Sequence, residues 1–209
     1  MSRFRVMKAL SVLLVLSTLC AAEDDATKAK KKLEGELTKL EAQIKKTPDD
    51  PVVHYRRAQA LTKLERWDDG YAEAQKTMEL FIKKGDDLAW LLLESIDLGG
   101  FRVDVNFNMG PKERKTPDIG IVRPLSFRIW KKADPAVKDS KDELVEIIDF
   151  EFAYIGGKPE TAAFGIQDGK THKNLGMVDV TTAYKDLRVK AIELIKKRHP
   201  QEEPKDPPK

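Results

Sequence analysis

The sequence predicts an α+β protein in which helices come first and an antiparallel β-sheet, packed with a C-terminal helix, follows. Up to about residue 98, apolar side chains recur every three or four positions, which is the period of an amphipathic helix. After a Gly-Gly pair the period changes to two, which is typical of half-buried strands. A helical stripe returns at 181–197. We therefore expect a helical region over 27–98 and a sheet with its covering helix over 100–197.

The first 22 residues have the composition of a secretory signal peptide. Three basic residues lie within the first eight positions, an apolar run follows at 9–19, and small residues precede Glu23. The apolar run is too short to span a bilayer comfortably, so we expect cleavage near Ala22 and a secreted or periplasmic protein. Two alternatives remain open: a membrane anchor formed by the same uncleaved segment, and acylation of Cys20.

Charge and cysteine content restrict the function of the mature chain. The 38 basic residues exceed the 35 acidic ones by three, and three basic residues but no acid lie in the predicted signal peptide. Without that segment the chain is neutral, which gives no argument for nucleic acid or an anionic membrane as a partner. Cys20 is the only cysteine, so cleavage leaves no thiol for a disulfide or for catalysis. The expected partner is another protein in the cell envelope or outside the cell, and the mature chain is expected to have no transmembrane span.

The stretch 50–85 predicts two antiparallel helices joined by a short turn. Asp50 is suited to cap the first helix, and Pro51 is tolerated in a first helical turn. Asp68 is suited to cap the second helix, and Gly85 to end it in a left-handed conformation. Apolar positions recur at helical spacing on both sides of the turn: Val52, Tyr55, Ala58, Leu61, Leu64, Trp67, Tyr71, Ala74, Met78 and Leu80 or Phe81.

Over residues 50–84 this hairpin resembles one tetratricopeptide repeat (TPR). The residues that match the family are Pro48, Ala58, Leu61, Trp67 and Gly70, whereas those that depart from it are His54, Arg57 and Thr77. The resemblance implies a helical surface that binds a polypeptide and does no catalysis. We expect the contacts to come from polar side chains of the first helix, with His54, Arg57 and Lys63 as candidates. Residues 100–198 resemble no family that their sequence identifies.

Helices are also expected on both sides of the hairpin, because a single helical pair cannot bury its apolar face. The first covers 27–46 and carries an apolar seam at Leu33, Leu37, Leu40 and Ile44. The second is predicted over 88–98, where the segment is apolar on most sides, as in a central helix.

Six segments after the Gly-Gly pair are predicted to be strands, because apolar and polar residues alternate or turn residues bound them. They are 101–109, 119–122, 125–130, 144–155, 161–167 and 175–180. A final helix is expected from Thr181 or Thr182 to Lys197. The segment 198–209 is rich in proline and charge and is predicted to be a disordered tail.

The strand at 144–155 carries the best candidates for carboxylate chemistry. Asp149 and Glu151 are two residues apart, so on a strand they share a face and lie about 6–7 Å from each other. Two carboxyl groups in different environments can act as an acid and a base. The alternative interpretation is a stripe of solvent-facing charge on the exposed face of the sheet.

No other pattern points to an enzyme or a metal site. His54, His172 and His199 lack the spacing of metal ligands, and no phosphate-binding, dinucleotide-binding or Gly-x-Ser-x-Gly motif is present. His172 falls in a stretch, 170–174, that is predicted to be a polar loop. Trp130, near a strand end, is either an anchor for a partner or a buried side chain. No metal and no cofactor is expected.

Three functions agree with these observations. The favoured one is an exported, non-enzymatic binding or scaffold protein that uses its TPR-like helical surface for protein–protein interaction. The second is an exported hydrolase, which requires a pocket where Asp149 and Glu151 converge and at least one pKa is strongly raised. The third is a carrier of a small ligand or lipid, which requires a cavity between the sheet and the C-terminal helix.

Overall fold

A computed structural model gives the structure of residues 3–86, 90–108, 119–168 and 171–200. Within these ranges it contains four helices and six strands. In chain order they are α1 (Arg3–Lys46), α2 (Pro51–Lys63), α3 (Trp67–Lys83), β1 (Trp90–Leu98), β2 (Phe101–Asn108), β3 (Ile119–Lys131), β4 (Glu143–Ile155), β5 (Lys158–Asp168), β6 (Thr171–Val178) and α4 (Tyr184–Arg198). Three helices precede the sheet and one follows it, which confirms the predicted α+β class.

The six strands form one antiparallel sheet in the order β1-β2-β3-β4-β5-β6, so each strand pairs with its neighbour in the sequence. One face of the sheet is covered by helices, and every second residue of the central strands is buried there. These core residues are Val103, Val105 and Phe107 of β2, Leu125, Phe127 and Ile129 of β3, Ile148 and Phe150 of β4, and Ala162 and Phe164 of β5. The core therefore lies on one side of the sheet.

The helical hairpin and α4 pack on this core together. Ala58 of α2 and Met78 of α3 belong to the same buried cluster as Leu93 of β1. The predicted apolar stripe of α4 joins the cluster through Tyr184, Leu187, Ala191 and Ile195. The helical hairpin and α4 thus share one hydrophobic core with the sheet, whereas Leu37 and Leu40 of α1 pack on α2 in a second, smaller cluster.

Helix α2 also covers the outer edge of β1. The Tyr55 hydroxyl donates a hydrogen bond to the carbonyl oxygen of Leu92 at 2.8 Å. The Thr62 hydroxyl reaches the carbonyl oxygen of Leu93 at 3.2 Å. Because β1 is an edge strand, these bonds occupy carbonyl groups that would otherwise be open to pairing with another strand.

The helical hairpin predicted from the sequence is present, with most of its local signals. Asp50 caps α2 by accepting a hydrogen bond from the Val52 N–H at 3.0 Å, and Pro51 is the first residue of the helix. Gly85 has a φ of +84°, the left-handed conformation that favours glycine after a helix. These features depend on neighbouring residues alone, and for that reason the sequence predicts them well.

The cap predicted at Asp68 is wrong for α3 and serves another helix. Helix α3 begins at Trp67, and Asp68 lies in its first turn. The Asp68 carboxylate instead accepts a hydrogen bond at 3.0 Å from the N–H of Lys185, in the first turn of α4. Ala183 occupies the cap position of α4 and has no side-chain acceptor, so neither predicted threonine caps this helix. A residue of α3 thus supplies the N-terminal cap of α4.

The helix predicted over 88–98 is wrong, because this segment forms β1 from Trp90 onward. Gly99, with a φ of +70°, turns the chain so that Leu98 pairs with Phe101 and the segment runs back along β2. A short apolar run is compatible with a buried helix or a buried strand, and periodicity does not distinguish them. The sheet consequently starts ahead of the Gly-Gly pair, and the helical region ends with α3.

Several other boundaries differ from the prediction. Helix α1 begins at Arg3, well before the predicted start at residue 27. The two short strands predicted on either side of Pro124 are one strand, β3. Strand β6 begins at Thr171, so the predicted polar loop at 170–174 is largely strand. Helix α4 extends to Arg198, the first residue of the predicted tail.

Some predictions concern parts of the chain outside the described residues. The signal-peptide prediction depends on side chains of residues 1–22, and the tail prediction on 201–209, neither of which is described. Where the structure is described, no helix combines the length and apolar character needed to cross a membrane.

Candidate functional site: the open face of the sheet

The residues that alternate with the core residues point to the opposite side of the sheet, which we call the open face. Its central strands carry Arg102, Asp104, Asn106 and Asn108 on β2, Ser126, Arg128 and Trp130 on β3, and Ile147, Asp149, Glu151 and Ala153 on β4. Strands β5 and β6 add Ala163, Gly165, His172 and Met177. The register places Asp149 between Ser126 and Gly165, so the polar side chains meet near the middle of the sheet.

A bulge in β3 turns Arg123 toward the two carboxylates predicted from the sequence. The register between β3 and β4 shifts between Val122 and Leu125, where two residues of β3 oppose one residue of β4. Arg123 Nε donates a hydrogen bond to Glu151 Oε1 at 2.6 Å and lies 3.6 Å from Asp149 Oδ2. One guanidinium therefore contacts both carboxylates.

Glu151 has a second partner across the sheet in His172. The distance between His172 Nε2 and Glu151 Oε2 is 2.7 Å. Gly165 lies between them on β5, and a Cβ atom at this position would be 2.5 Å from His172 Nε2 and 3.1 Å from Glu151 Oε2. The missing side chain of Gly165 therefore makes the room in which this pair forms.

Asp149 ends a short chain of hydrogen bonds that starts on β2. The Asn108 side-chain amide donates to Ser126 Oγ at 2.5 Å, and the Ser126 hydroxyl donates to Asp149 Oδ1. Burial raises the pKa of the Asp149 carboxyl above its ordinary value. The hydrogen bond from Ser126 and the charge of Arg123 offset part of this rise, whereas the charge of Glu151 adds to it.

The two carboxylates are therefore not a solvent-facing stripe. The Glu151 side chain is only 7% exposed and the Asp149 side chain 16%. They do share one face of β4, as the alternation predicts. What the spacing could not show is their burial, because neighbouring side chains from β3 and β6 cover them.

Two arginine–tryptophan pairs lie beside this polar centre. The guanidinium of Arg102 is 5.4 Å from the ring centre of Trp130, and that of Arg128 is 5.1 Å from the ring centre of Trp90. Trp90 is 45% exposed. Trp130 is half-buried, and its Nε1 has no hydrogen-bond acceptor among the described residues. It therefore combines features of a buried side chain and of an anchor for a partner.

Large apolar side chains remain exposed around the polar centre. The bulge at Val145 places Leu144 beside Trp130 on the open face, and Ile147 lies beside Arg128. The exposed apolar residues that the register places on this face are Trp90, Ile121, Leu144, Ile147, Ile155 and Met177. A contiguous apolar patch marks an interaction site, whereas single exposed apolar side chains are common, so these residues are candidates for a docking surface.

The partner-binding residues predicted on the hairpin do not form one surface. His54 is 1% exposed, with Nε2 at 2.8 Å from the Pro48 carbonyl oxygen and Nδ1 bonded to the Glu73 carboxylate. Arg57 is bonded to the same carboxylate, and it reaches Glu41 at 3.3 Å. Lys63 is exposed at the other end of α2. His54 and Arg57 thus tie the helices together, beside a pocket of about 320 Å³.

The described residues give less support to a metal site or a small-ligand site. Within the described ranges, no group of three or more His, Cys, Asp or Glu residues is placed to hold a metal ion. A pocket of about 130 Å³ lies beside Glu151 and His172.

The sequence did not predict four residues of this site: Arg123, Ser126, Gly165 and Arg128. Their roles depend on strand pairing and on a bulge that no local pattern marks.

Comparisons of the chain with protein-family models, with curated proteins and with solved structures give no match. The TPR resemblance of the hairpin therefore rests on the residues quoted above.

Proposed function

We propose that this chain is a non-enzymatic binding or scaffold protein that works outside the cytosol and docks another polypeptide on the open face of its sheet. The observation that carries the proposal is the set of exposed apolar side chains on that face, among them Trp90 on the edge strand β1 and Ile147 on the central strand β4. Burying them against a partner contributes about 25 cal/mol for each Å² of apolar surface removed from water.

The composition of the open face supports a protein partner. Tryptophan, arginine and methionine are enriched in protein–protein interfaces, and tryptophan and arginine are the side chains whose truncation most often costs binding energy. The open face presents both in its Arg128–Trp90 and Arg102–Trp130 pairs. The polar cluster beside them is held in place by its own hydrogen bonds, so this part of the face offers a fixed surface, which favours a specific partner.

The docking surface that we propose lies on the sheet and not on the TPR-like hairpin. His54 and Arg57 are already bonded to Glu73. The side chains of Tyr55 and Thr62 are bonded to β1. The hairpin therefore acts mainly as the cover of the core and of one sheet edge. The location outside the cytosol follows from the predicted signal peptide.

The test compares two matched apolar positions, Ile147 on the open face and Val189 on α4, which are 38% and 43% exposed. Tagged wild type, Ile147→Asp and Val189→Asp are produced in the native host, crosslinked in whole cells and isolated for quantitative mass spectrometry. We expect wild type and Val189→Asp to recover the same proteins, and Ile147→Asp to lose at least one of them about tenfold, the effect of about 1.4 kcal/mol. Equal recovery by all three chains would remove the open face as the docking surface. The N-terminal mass from the same samples shows whether the mature chain begins at Glu23.

A hydrolase remains a second candidate because of one observation: Asp149 and Glu151 converge on Arg123, and the pKa of Asp149 is raised. Two facts weigh against it. Glu151 is already held by two basic side chains, and the adjacent pocket of about 130 Å³ is small beside the ~300–1,000 Å³ of typical ligand sites. Chromogenic esters and glycosides test the candidate: hydrolysis that Asp149→Asn abolishes would support it, and hydrolysis that persists in this variant would exclude these roles.

The carrier function has less support. The described interface between the sheet and α4 is filled by buried side chains of one cluster. The pocket found in this region, about 270 Å³, lies at the end of α4 beside Phe101 and His199.

A further inference from the structure

Arg128 is a cation on the open face that lacks a counter-ion among the described residues. Its guanidinium lies over the ring of Trp90, its Nε is buried without an acceptor, and it makes no hydrogen bond or ion pair with a described residue. Arg102 has a similar place over Trp130, but it is paired with Asp142 at 2.5 Å and with Asp104 at 3.2 Å. The charge of Arg102 is therefore balanced by two acids, whereas Arg128 has no such pair within the described residues.

The carboxylates nearest to Arg128 in the register are engaged elsewhere. Asp104 lies opposite Arg128 on β2, but its carboxylate accepts a hydrogen bond from Ser95 at 2.7 Å and pairs with Arg102. Asp149 on β4 accepts from Ser126 and lies 3.6 Å from Arg123. Neither acid forms an ion pair with Arg128, although Arg128 acts on Asp149 at longer range.

The surroundings of Arg128 suit the binding of a carboxylate from outside. A guanidinium that is stacked on an aromatic ring keeps its two terminal nitrogens in a fixed fork, which matches the two oxygens of a carboxylate. Trp90 and Ile147, which neighbour Arg128, are exposed apolar side chains. Leu144 is also exposed, and it lies opposite Trp130, two residues along β3 from Arg128. When a partner covers them, water leaves, and the attraction between opposite charges becomes stronger.

We propose that Arg128 binds a carboxylate of the docked polypeptide, so that the partner segment presents an acidic residue flanked by apolar side chains. The carboxylate meets the Arg128 fork, and the apolar side chains cover Trp90 and Ile147. This inference rests on the proposed function, because it names the chemistry of the partner on the same face.

The experiment uses a library of random 12-residue peptides displayed on phage and selected on the whole chain. Selected peptides are then synthesised with a fluorophore in two forms, with their acids intact and with the acids replaced by the amides. Binding is measured to wild type, Arg128→Gln, Arg128→Lys and Ile147→Asp. Arg56→Gln, which changes an exposed arginine on α2, is the control for net charge. Circular dichroism verifies that each variant is folded.

We expect selected peptides to share an acid beside apolar residues and to bind Arg128→Gln at least about tenfold more weakly than wild type. Arg128→Lys, which keeps the charge but loses the planar fork, gives an intermediate loss. We expect the amide peptides to bind wild type as weakly as the acidic peptides bind Arg128→Gln. When an amide peptide is tested on Arg128→Gln, the affinity should fall little further, as expected if the two groups form one direct contact.

Two other results separate this inference from the proposed function. Peptides that lose affinity for Ile147→Asp but bind Arg128→Gln as well as wild type would overturn the role of Arg128 and leave the open face as the docking surface. Peptides that are insensitive to Ile147→Asp, or a library from which nothing is enriched, would overturn both.

Discussion

Gly165 of β5 leaves the space that the side chain of His172 on β6 occupies, since a Cβ atom on Gly165 would lie only 2.5 Å from His172 Nε2. The ring can then reach Glu151 Oε2 at 2.7 Å and cover this carboxylate on the open face. One absent methyl group thus permits a hydrogen bond that links β4 and β6 across the strand between them. The open face is consequently built from side chains that fit one another, and each contact can be tested.

Substitution of Gly165 by alanine should destabilise the protein by about 1–3 kcal/mol, the usual cost of overpacking, because His172 must leave Glu151. The measurement is urea unfolding. Gly176→Ala on β6 is the control, since nothing lies within 4 Å of a Cβ there, and its effect should stay within about 0.5 kcal/mol. The double variant Gly165→Ala, His172→Ala should lose less free energy of unfolding than the two single variants lose in sum, because the smaller side chain at 172 removes the clash. Additive losses would show that the ring does not occupy this space.

Asp149→Asn should stabilise the protein at pH 7 by about 0.5–1 kcal/mol, the lower part of the range for single stabilising substitutions. Burial raises the pKa of Asp149 in the folded state above the unfolded value. Between these two pKa values the folded chain binds more protons than the unfolded chain, so the free energy of unfolding falls as pH rises through that window. The asparagine removes this slope and can still accept a hydrogen bond from Ser126. Urea unfolding between pH 3.5 and pH 7 checks both effects, and a variant less stable than wild type at pH 7 would contradict the account.

Glu146→Gln should have the opposite pH dependence. Burial would raise the pKa of Glu146, but hydrogen bonds from Arg198 and His199 outweigh it and hold the pKa below its ordinary value. This carboxylate therefore stabilises the fold above its unfolded pKa, and the contribution is lost as pH falls through the folded pKa. We expect the free energy of unfolding of this variant to be about 1 kcal/mol lower than that of wild type at pH 7, and the difference to be much smaller at pH 3. Glu143→Gln, an exposed position on the same strand, is the control and should change little at either pH.

The hairpin variants should separate stability from binding. Arg57→Ala leaves the Glu73 carboxylate, 9% exposed, with His54 alone, so we expect a loss of about 2–3 kcal/mol in the free energy of unfolding. Lys63→Ala removes an exposed charge at the other end of α2 and should change stability by less than about 0.5 kcal/mol. Recovery of partners from crosslinked cells should be unchanged for Lys63→Ala. A loss of partners in this variant would place the docking surface on the helical hairpin.

The sequence predicted the parts of the fold that neighbouring residues determine. Asp50 and Gly85 mark helix ends through local geometry, and the alternation from Phe101 onward gives β2 and its buried face. The segment at 88–98 was not predicted correctly, because its strand character comes from pairing with β2. The cap that Asp68 gives to α4 joins residues more than 100 positions apart.

The candidate site was predicted only in part, because some of its residues meet through long-range pairing. Asp149 and Glu151 were expected on one face, and they share it. Arg123 reaches them only through a bulge, and Arg128 meets Trp90 only because Trp90 belongs to β1 and not to a helix. Strand pairing and bulges of this kind are set by long-range contacts, which short sequence patterns do not encode.

The central claim, that a polypeptide docks on the open face, is tested most directly by site-specific photocrosslinking in whole cells. A photoreactive amino acid is introduced in separate chains at Ile147 on the open face, Lys63 on the hairpin and Val189 on α4. The account predicts a discrete protein adduct from Ile147, weakened by Arg128→Gln, and none from the other two positions. An adduct from Lys63 with none from Ile147 would contradict it and place the partner on the helices.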